Sequence, residues 1–219
     1  MKAKKKQFLV FGLGRFGSSV AKSLSDMGNE VLAIDRSEDL VNDISPYVTQ
    51  ALAADATDEA VMAEIDAAGF DAAIVSIGSS VRDSVMISML CKEAGIPMVI
   101  AKATDELHGK ILRRVGVDRV IFPERDMGQR LAKSLVAPGI TDLMELADDY
   151  QIAEIVAPAA WAGKTLMQIN VRRNYGLSVI AIRRSAHLEA APGAESTIYP
   201  GDSLLVLGKQ FDIEALERK

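Results

Sequence analysis

From Gln7 to Leu135 the chain alternates short apolar, β-rich runs with stretches whose apolar positions recur at helical spacing. Phe8 to Phe11, Val31 to Ile34, Thr49 to Ala53, Ala72 to Ile77, Met98 to Ala101 and Val120 to Phe122 read as strands. Six strands with helices between them predict an α/β fold built on a doubly wound, Rossmann-like parallel sheet. The helix after Gly17 carries Val20, Ala21, Leu24 and Met27 on one face and stops at Gly28. Later helices are expected to end at Gly69, Gly95 and Gly116, where glycine accepts the left-handed conformation that closes a helix.

After Phe122-Pro123 the pattern changes. A helix is expected from about Asp126 to Leu135, then a break at Ala137-Pro138-Gly139 and a second short helical run from Thr141 to Leu146. Gln151 to Val156, Ser178 to Arg183, Leu188 to Ala190 and Leu204 to Leu207 read as further strands. They are joined by a turn of helix at Leu166 to Ile169 and followed by a terminal helix from Phe211. The expected division is a first domain over 1–138 and a small α+β domain over 139–219. A domain of that size leans on a partner surface for stability. Leu131, Leu135, Leu143 and Leu146 supply an apolar face, so the expectation is a dimer that closes into a larger symmetric ring.

Composition narrows the class. The chain has 219 residues, 49% of them hydrophobic, and no apolar run approaches the roughly 18 residues of a membrane helix. The start, Met1-Lys2-Ala3-Lys4-Lys5-Lys6, runs straight into a strand pattern without an apolar signal region, which predicts a cytoplasmic location. A single cysteine, Cys91, excludes an internal disulfide, and His108 and His187 lie too far apart to suggest a histidine-metal site. Any metal must therefore use oxygen ligands. The net charge of -5 argues mildly against broad nucleic-acid binding, and Lys4 to Lys6 read as a solvated tail rather than a phosphate-binding arm. No nucleic-acid partner is expected.

The stretch FGLGRFGSS carries the chemistry. Gly12, Gly14 and Gly17 stand between a predicted strand and a predicted helix, and Asp35 ends the next strand about 20 residues on. Gly12 permits the tight turn, Gly14 lets backbone approach a phosphate, and Gly17 lets helix and sheet close up. The free N–H groups of the helix start attract negative oxygens. Asp35 suits a ribose diol, and its charge disfavours a 2′-phosphate. Asp55-Ala56-Thr57, Ile77-Gly78 and Lys102 fall at the ends of later strands and outline an adenosine and phosphate pocket. Asp55 reads equally as a turn or cap residue, and Lys102 equally as an exposed lysine.

Arg15, next to Phe16 inside the glycine motif, separates two ligands. A pyrophosphate already held by backbone N–H groups needs no further cation, whereas the outer phosphates of ATP leave charge uncovered. One charge-assisted contact there is worth about 1.5 to 3 kcal/mol. Arg15 thus favours ATP over NAD; the competing reading pairs it with a helix carboxylate such as Glu38. No Ser-His-Asp arrangement or Walker lysine is present, and His108 reads as a surface residue of a helix. An enzyme is not expected.

The segments QFLVFGLGRFGSSVAKSL, VLAID, ADATDE, AIVSIGSS and FPERDMGQRLA resemble the N-terminal part of regulator of K+ conductance (RCK) proteins of the KtrA and TrkA type. The later GKTLMQINVRRNYGLSVIAIRR and YPGDSLLVLG resemble the TrkA C-terminal domain, so the likeness spans nearly the whole chain. It implies a non-enzymatic gating subunit, an octameric ring that binds ATP and ADP. Such a ring lies on the inner face of the membrane against a potassium-translocating subunit of the KtrB or TrkH type. The helices from Asp126 to Leu146 match the dimerisation and cross-over segment. Glu124 matches a position where the family places a carboxylate near the terminal phosphate with a divalent cation such as Mg2+. On sequence alone it is a surface acid after a strand. Relatives also imply cyclic di-AMP in the C-terminal domain, where Arg172, Asn174 and Ile180 fall in the matching strand region. NAD(H) binding by TrkA-type members leaves a small NAD-dependent oxidoreductase or NAD sensor as the alternative.

Overall fold

Six short strands form the first sheet, and the inner ones bury apolar side chains at successive positions, which only a sheet covered on both faces allows, while the two edge strands are more exposed. In the computed structural model, which describes residues 5–136, 140–147 and 149–217, these are β1 (Gln7–Phe11), β2 (Glu30–Asp35), β3 (Gln50–Ala53), β4 (Ala72–Val75), β5 (Val99–Lys102) and β6 (Arg119–Ile121). All pair in parallel, in the order β3-β2-β1-β4-β5-β6. Between and after them run α1 (Arg15–Asp26), α2 (Glu38–Ile44), α3 (Glu59–Glu64), α4 (Val81–Glu93), α5 (Glu106–Arg114) and α6 (Pro123–Val136).

Neighbouring residues of one strand serve opposite faces. Leu9 and Phe11 of β1 join a core with Ile87, Leu90 and Leu112 of α4 and α5, whereas Val10 joins one with Ala21, Val41 and Ile44 of α1 and α2. The chain winds outward from β1 in both directions, so the order reverses between β1 and β4. A crevice opens at the carboxyl ends of the strands there. The expected helix-ending glycines Gly28, Gly95 and Gly116 do take positive φ, but at Gly69 the left-handed residue is Asp66, which enters a short 3-10 turn ending at Gly69.

The chain divides into two compact units, Met1–Arg125 and Asp126–Lys219. The helix expected from Asp126 begins earlier, at Pro123, because proline's fixed φ and missing N–H suit a first helical turn. The expected break at 137–139 lies outside the described residues.

The second unit is an antiparallel sheet of β7 (Ile140–Ala147), β8 (Tyr150–Val156), β9 (Ser178–Arg184), β10 (His187–Ala190) and β11 (Ser203–Lys209), in the order β10-β9-β11-β8-β7. With it come α7 (Leu166–Ile169), α8 (Val171–Tyr175) and α9 (Gln210–Glu217). β8 and β11 alternate buried and less buried residues, so Ala153, Ile155, Leu204 and Val206 meet Trp161, Ile213 and Leu216 in one core. α7 starts at a capping box in which Thr165 accepts from the backbone of Gln168 and the Gln168 side chain accepts from Thr165.

One expected element is overturned. Thr141 to Leu146 is not helical but lies in β7, paired with β8. Its register shifts between Ile140 and Asp142 and again between Glu145 and Ala147. Each bulge inserts an extra residue and breaks the period of two, which leaves apolar residues at spacings that mimic a helix. Leu143 and Leu146 therefore do not extend a helical face begun by Leu131 and Leu135.

Candidate functional site

The crevice is built from the turn between β1 and α1. Gly12 has φ +87, and a Cβ there would lie 3.0 Å from Cγ1 of Ile77. A Cβ on Gly17 would lie 1.9 Å from the carbonyl oxygen of Gly12, so the first turn of α1 can press onto the strand only with glycine at 17. Gly14 precedes the helix, and a Cβ on it would meet nothing within 4 Å. α1 also has no side-chain cap and no acidic residue in its first turn. The first N–H groups of the helix thus have no side-chain acceptor, and Gly14 leaves room beside the positive end of the dipole, an arrangement that fits a phosphate.

Asp35, the last residue of β2, clasps this turn. Its Oδ2 accepts from the backbone N–H of Leu13 at 2.7 Å and its Oδ1 from that of Ser37 at 2.9 Å. Each oxygen keeps a lone pair that a ribose hydroxyl can use. After β3, Asp55 accepts from both the backbone and the hydroxyl of Thr57, and Arg36 pairs with it at 2.8 Å. The Thr57 hydroxyl foremost, and then Arg36, pull the Asp55 carboxyl down to about 2. Asp55 is a turn residue and not a helix cap, since Asp58 caps α3. Ala56 is buried in the core, so only its backbone can serve a ligand.

On the other side of the crevice Ile77 lies against Gly12, and Gly78 stands beside the side chain of Lys102. Lys102, the last residue of β5, is mostly buried, and its Nζ meets Oε1 of the exposed Glu124, in the first turn of α6, at 2.5 Å. The Lys102 hydrogen bond holds the Glu124 carboxyl below its ordinary range; the smallest contribution in the same direction is the charge of Arg15. Arg15 is exposed in the first turn of α1, with Phe16 half-buried beside it. No ion pair joins Arg15 to Glu38. The structure thus brings the glycine turn together with Asp35 and Ile77, and Lys102 with Gly78 and Glu124. Among the described residues no group of three or more His, Cys, Asp or Glu side chains is placed to hold a metal. A divalent ion at Glu124 would need phosphate oxygens to complete its ligands.

Sequence reasoning missed three features. Arg36 also pairs with Asp83 of α4 at 2.8 Å, and the signal available was a cation directly after the acid that ends β2. Ser76, just past β4, buries a hydroxyl that has no hydrogen-bond partner among the described residues, on the side facing Gly17. His108 is 1% exposed, not a surface residue. Burial is possible because both ring nitrogens are satisfied. The Thr104 backbone N–H donates to Nδ1 at 3.3 Å, which assigns the proton to Nε2, 3.2 Å from the Ser84 hydroxyl. Burial pushes its pKa down.

In the second unit, Arg172 and Asn174 lie in α8 and not in a strand; Ile180 lies in β9. A left-handed residue at each end, Asn170 and Gly176, folds VRRNY into a single short turn of helix. The Asn174 amide donates to the carbonyl of Ile169 at 2.8 Å.

The TrkA-N domain family matches residues 8–123 and the TrkA-C domain family residues 151–219. The chain is 38% identical over 215 residues to the Ktr system potassium uptake protein C of Bacillus subtilis, covering 98% of this chain and 97% of that one. It is 36% identical over 210 residues to the Ktr system potassium uptake protein A of Vibrio alginolyticus, covering 96% of each. Among solved structures, the RCK domain of GsuK is similar in fold, with a TM-score of 0.68 at 22% identity, covering 100% of this chain and 48% of that one. The GsuK channel bound to NAD has a TM-score of 0.68 at 21% identity, covering 99% of this chain and 40% of that one. The chain belongs to the family that joins a TrkA-N to a TrkA-C domain and includes the Ktr system potassium uptake proteins.

Proposed function

We propose that this chain is a nucleotide-sensing regulatory subunit of a potassium uptake system, without catalytic activity, that acts on a membrane potassium-translocating subunit. The observation that carries this reading is its identity with Ktr system proteins over nearly its whole length and both domains. The crevice supports the sensing role, because its parts suit different pieces of one ligand. The α1 start takes phosphate and Asp35 takes ribose. To Arg15, Lys102 and Glu124 we assign a terminal phosphate and a divalent ion such as Mg2+. A ligand shifts a conformational equilibrium only through contacts that differ between states. ATP reaches Arg15 and, through the ion, Glu124; ADP shares only the ribose and inner-phosphate contacts.

In this reading 1–138 forms the nucleotide domain with its dimerisation helix, and 139–219 the regulatory C-terminal domain. Met127, Leu131 and Leu135 are exposed on α6 at spacings of four residues, which supports assembly into dimers and then a ring. No described helix is long and apolar enough to cross a membrane, so attachment at the inner face falls to the translocating partner. A cyclic di-AMP site in the second unit is carried by resemblance alone; titration of the full chain with that dinucleotide tests it.

The test of the sensing role is calorimetry with ATP, ADP and NAD in the presence of magnesium. Arg15→Ala is expected to weaken ATP about tenfold, the size of one charge-assisted contact, and to leave ADP unchanged. Equal losses for ATP and ADP would remove Arg15 from the terminal phosphate. Tight NAD binding without ATP binding would move the function to NAD sensing. Potassium flux through the translocating subunit, with and without the chain and each nucleotide, tests the regulatory role itself.

A further inference from the structure

Arg36 occupies a place that the ribose and phosphate contacts leave unexplained. It follows Asp35 at the exit of β2, yet its guanidinium reaches Asp83 in the first turn of α4, the helix after β4. Because β1 lies between β2 and β4, this link spans the crevice at the point where strand order reverses. The second arm of the guanidinium meets Asp55 at 2.8 Å and the Thr57 hydroxyl at 3.2 Å. Partners at both ends fix the orientation of the plane. With its edges engaged, the group has its two faces left to offer, and its side chain is 52% exposed.

Local charge decides what such a face can receive. Arg36 pairs with two carboxylates, Asp55 and Asp83, and directly follows a third, Asp35, so the patch is net negative and repels a phosphate. A flat, uncharged π-system is the group that a held guanidinium face attracts. On the reading of the crevice as a nucleotide site, we infer that Arg36 is the base-recognising residue, its guanidinium stacked on the purine and held in plane by Asp55 and Asp83. It selects for the base, and the carboxylates beside it select against a 2′-phosphate on the ribose.

Calorimetry with ADP and with adenosine 2′,5′-bisphosphate tests this on the full chain, using wild type, Arg36→Ala, Arg36→Lys and Asp83→Asn. Arg36 is half exposed and Asp83 mostly buried, so circular dichroism first establishes that each variant folds. Arg36→Ala and Arg36→Lys are both expected to weaken ADP about five- to tenfold, because lysine keeps the charge but loses the plane. Asp83→Asn should weaken it about two- to threefold by loosening the guanidinium, and wild type should bind the 2′-phosphorylated ligand more weakly than AMP, titrated alongside as its counterpart without the 2′-phosphate. If wild type binds ADP and either arginine variant binds it equally well, the inference fails while the nucleotide site stands. If Arg36→Ala loses only the 2′-phosphorylated ligand, Arg36 reads a phosphate and the inference fails. If wild type binds no adenine nucleotide, the underlying site fails as well.

Discussion

In the second unit Asp202 is 1% exposed and receives Arg184 through two nitrogens, both at 2.9 Å, together with the Tyr199 backbone N–H at 2.9 Å. Arg184 also donates to the carbonyl of Thr197 and lies over the Tyr199 ring, so the pair stitches a turn to β9. At the crevice of the first unit, by contrast, Arg36–Asp55 and Lys102–Glu124 stand at strand ends with at least one member half exposed or more. The bonds are of one kind, but their burial sets different roles. A carboxylate enclosed with its donors holds the chain; one at a crevice mouth can trade its partner for a ligand at little cost to the fold.

Substitutions can break or sharpen this contrast. The largest effect is expected from Gly17→Ala, where the new Cβ forces backbone apart: about 1 to 3 kcal/mol of stability and most nucleotide affinity should go together. Denaturant unfolding and calorimetry on the same sample check both. Next comes Asp202→Ala, which should lower the melting temperature of the second unit by roughly 5 to 10 °C and leave nucleotide affinity unchanged. A parallel loss of affinity would show that the units do not divide their roles in this way.

The smallest effect concerns His108. Its folded pKa is depressed by burial, so the folded state favours the neutral ring. The unfolded chain takes up a proton as pH falls through about 6.5, before the folded one does. The stability this contributes is therefore complete above that value and declines below it. His108→Gln should flatten the fall in melting temperature between pH 7 and 5; an unchanged slope would assign the pH dependence to other groups.

The parallel sheet was legible because each strand is a short apolar run closed by a turn signal, and the glycine turn because Gly12, Gly14 and Gly17 stand between strand and helix with Asp35 beyond. β7 was not, since two bulges erased its alternation. His108 was misplaced because polarity alone says nothing of the Thr104 and Ser84 partners that make its burial affordable. Arg36 escaped notice for a related reason: its Asp83 partner is 47 residues away, brought near only by the winding of the sheet. Local rules find turns and helix starts. Partners supplied by topology need the fold.

The most direct test of the account is ADP titration of wild type, Asp35→Ala and Asp202→Ala by calorimetry, each confirmed as folded. The crevice account predicts one site per chain in wild type, a loss of tenfold or more for Asp35→Ala, and wild-type affinity for Asp202→Ala. Undiminished binding by Asp35→Ala would contradict it, whatever the behaviour of the other variant.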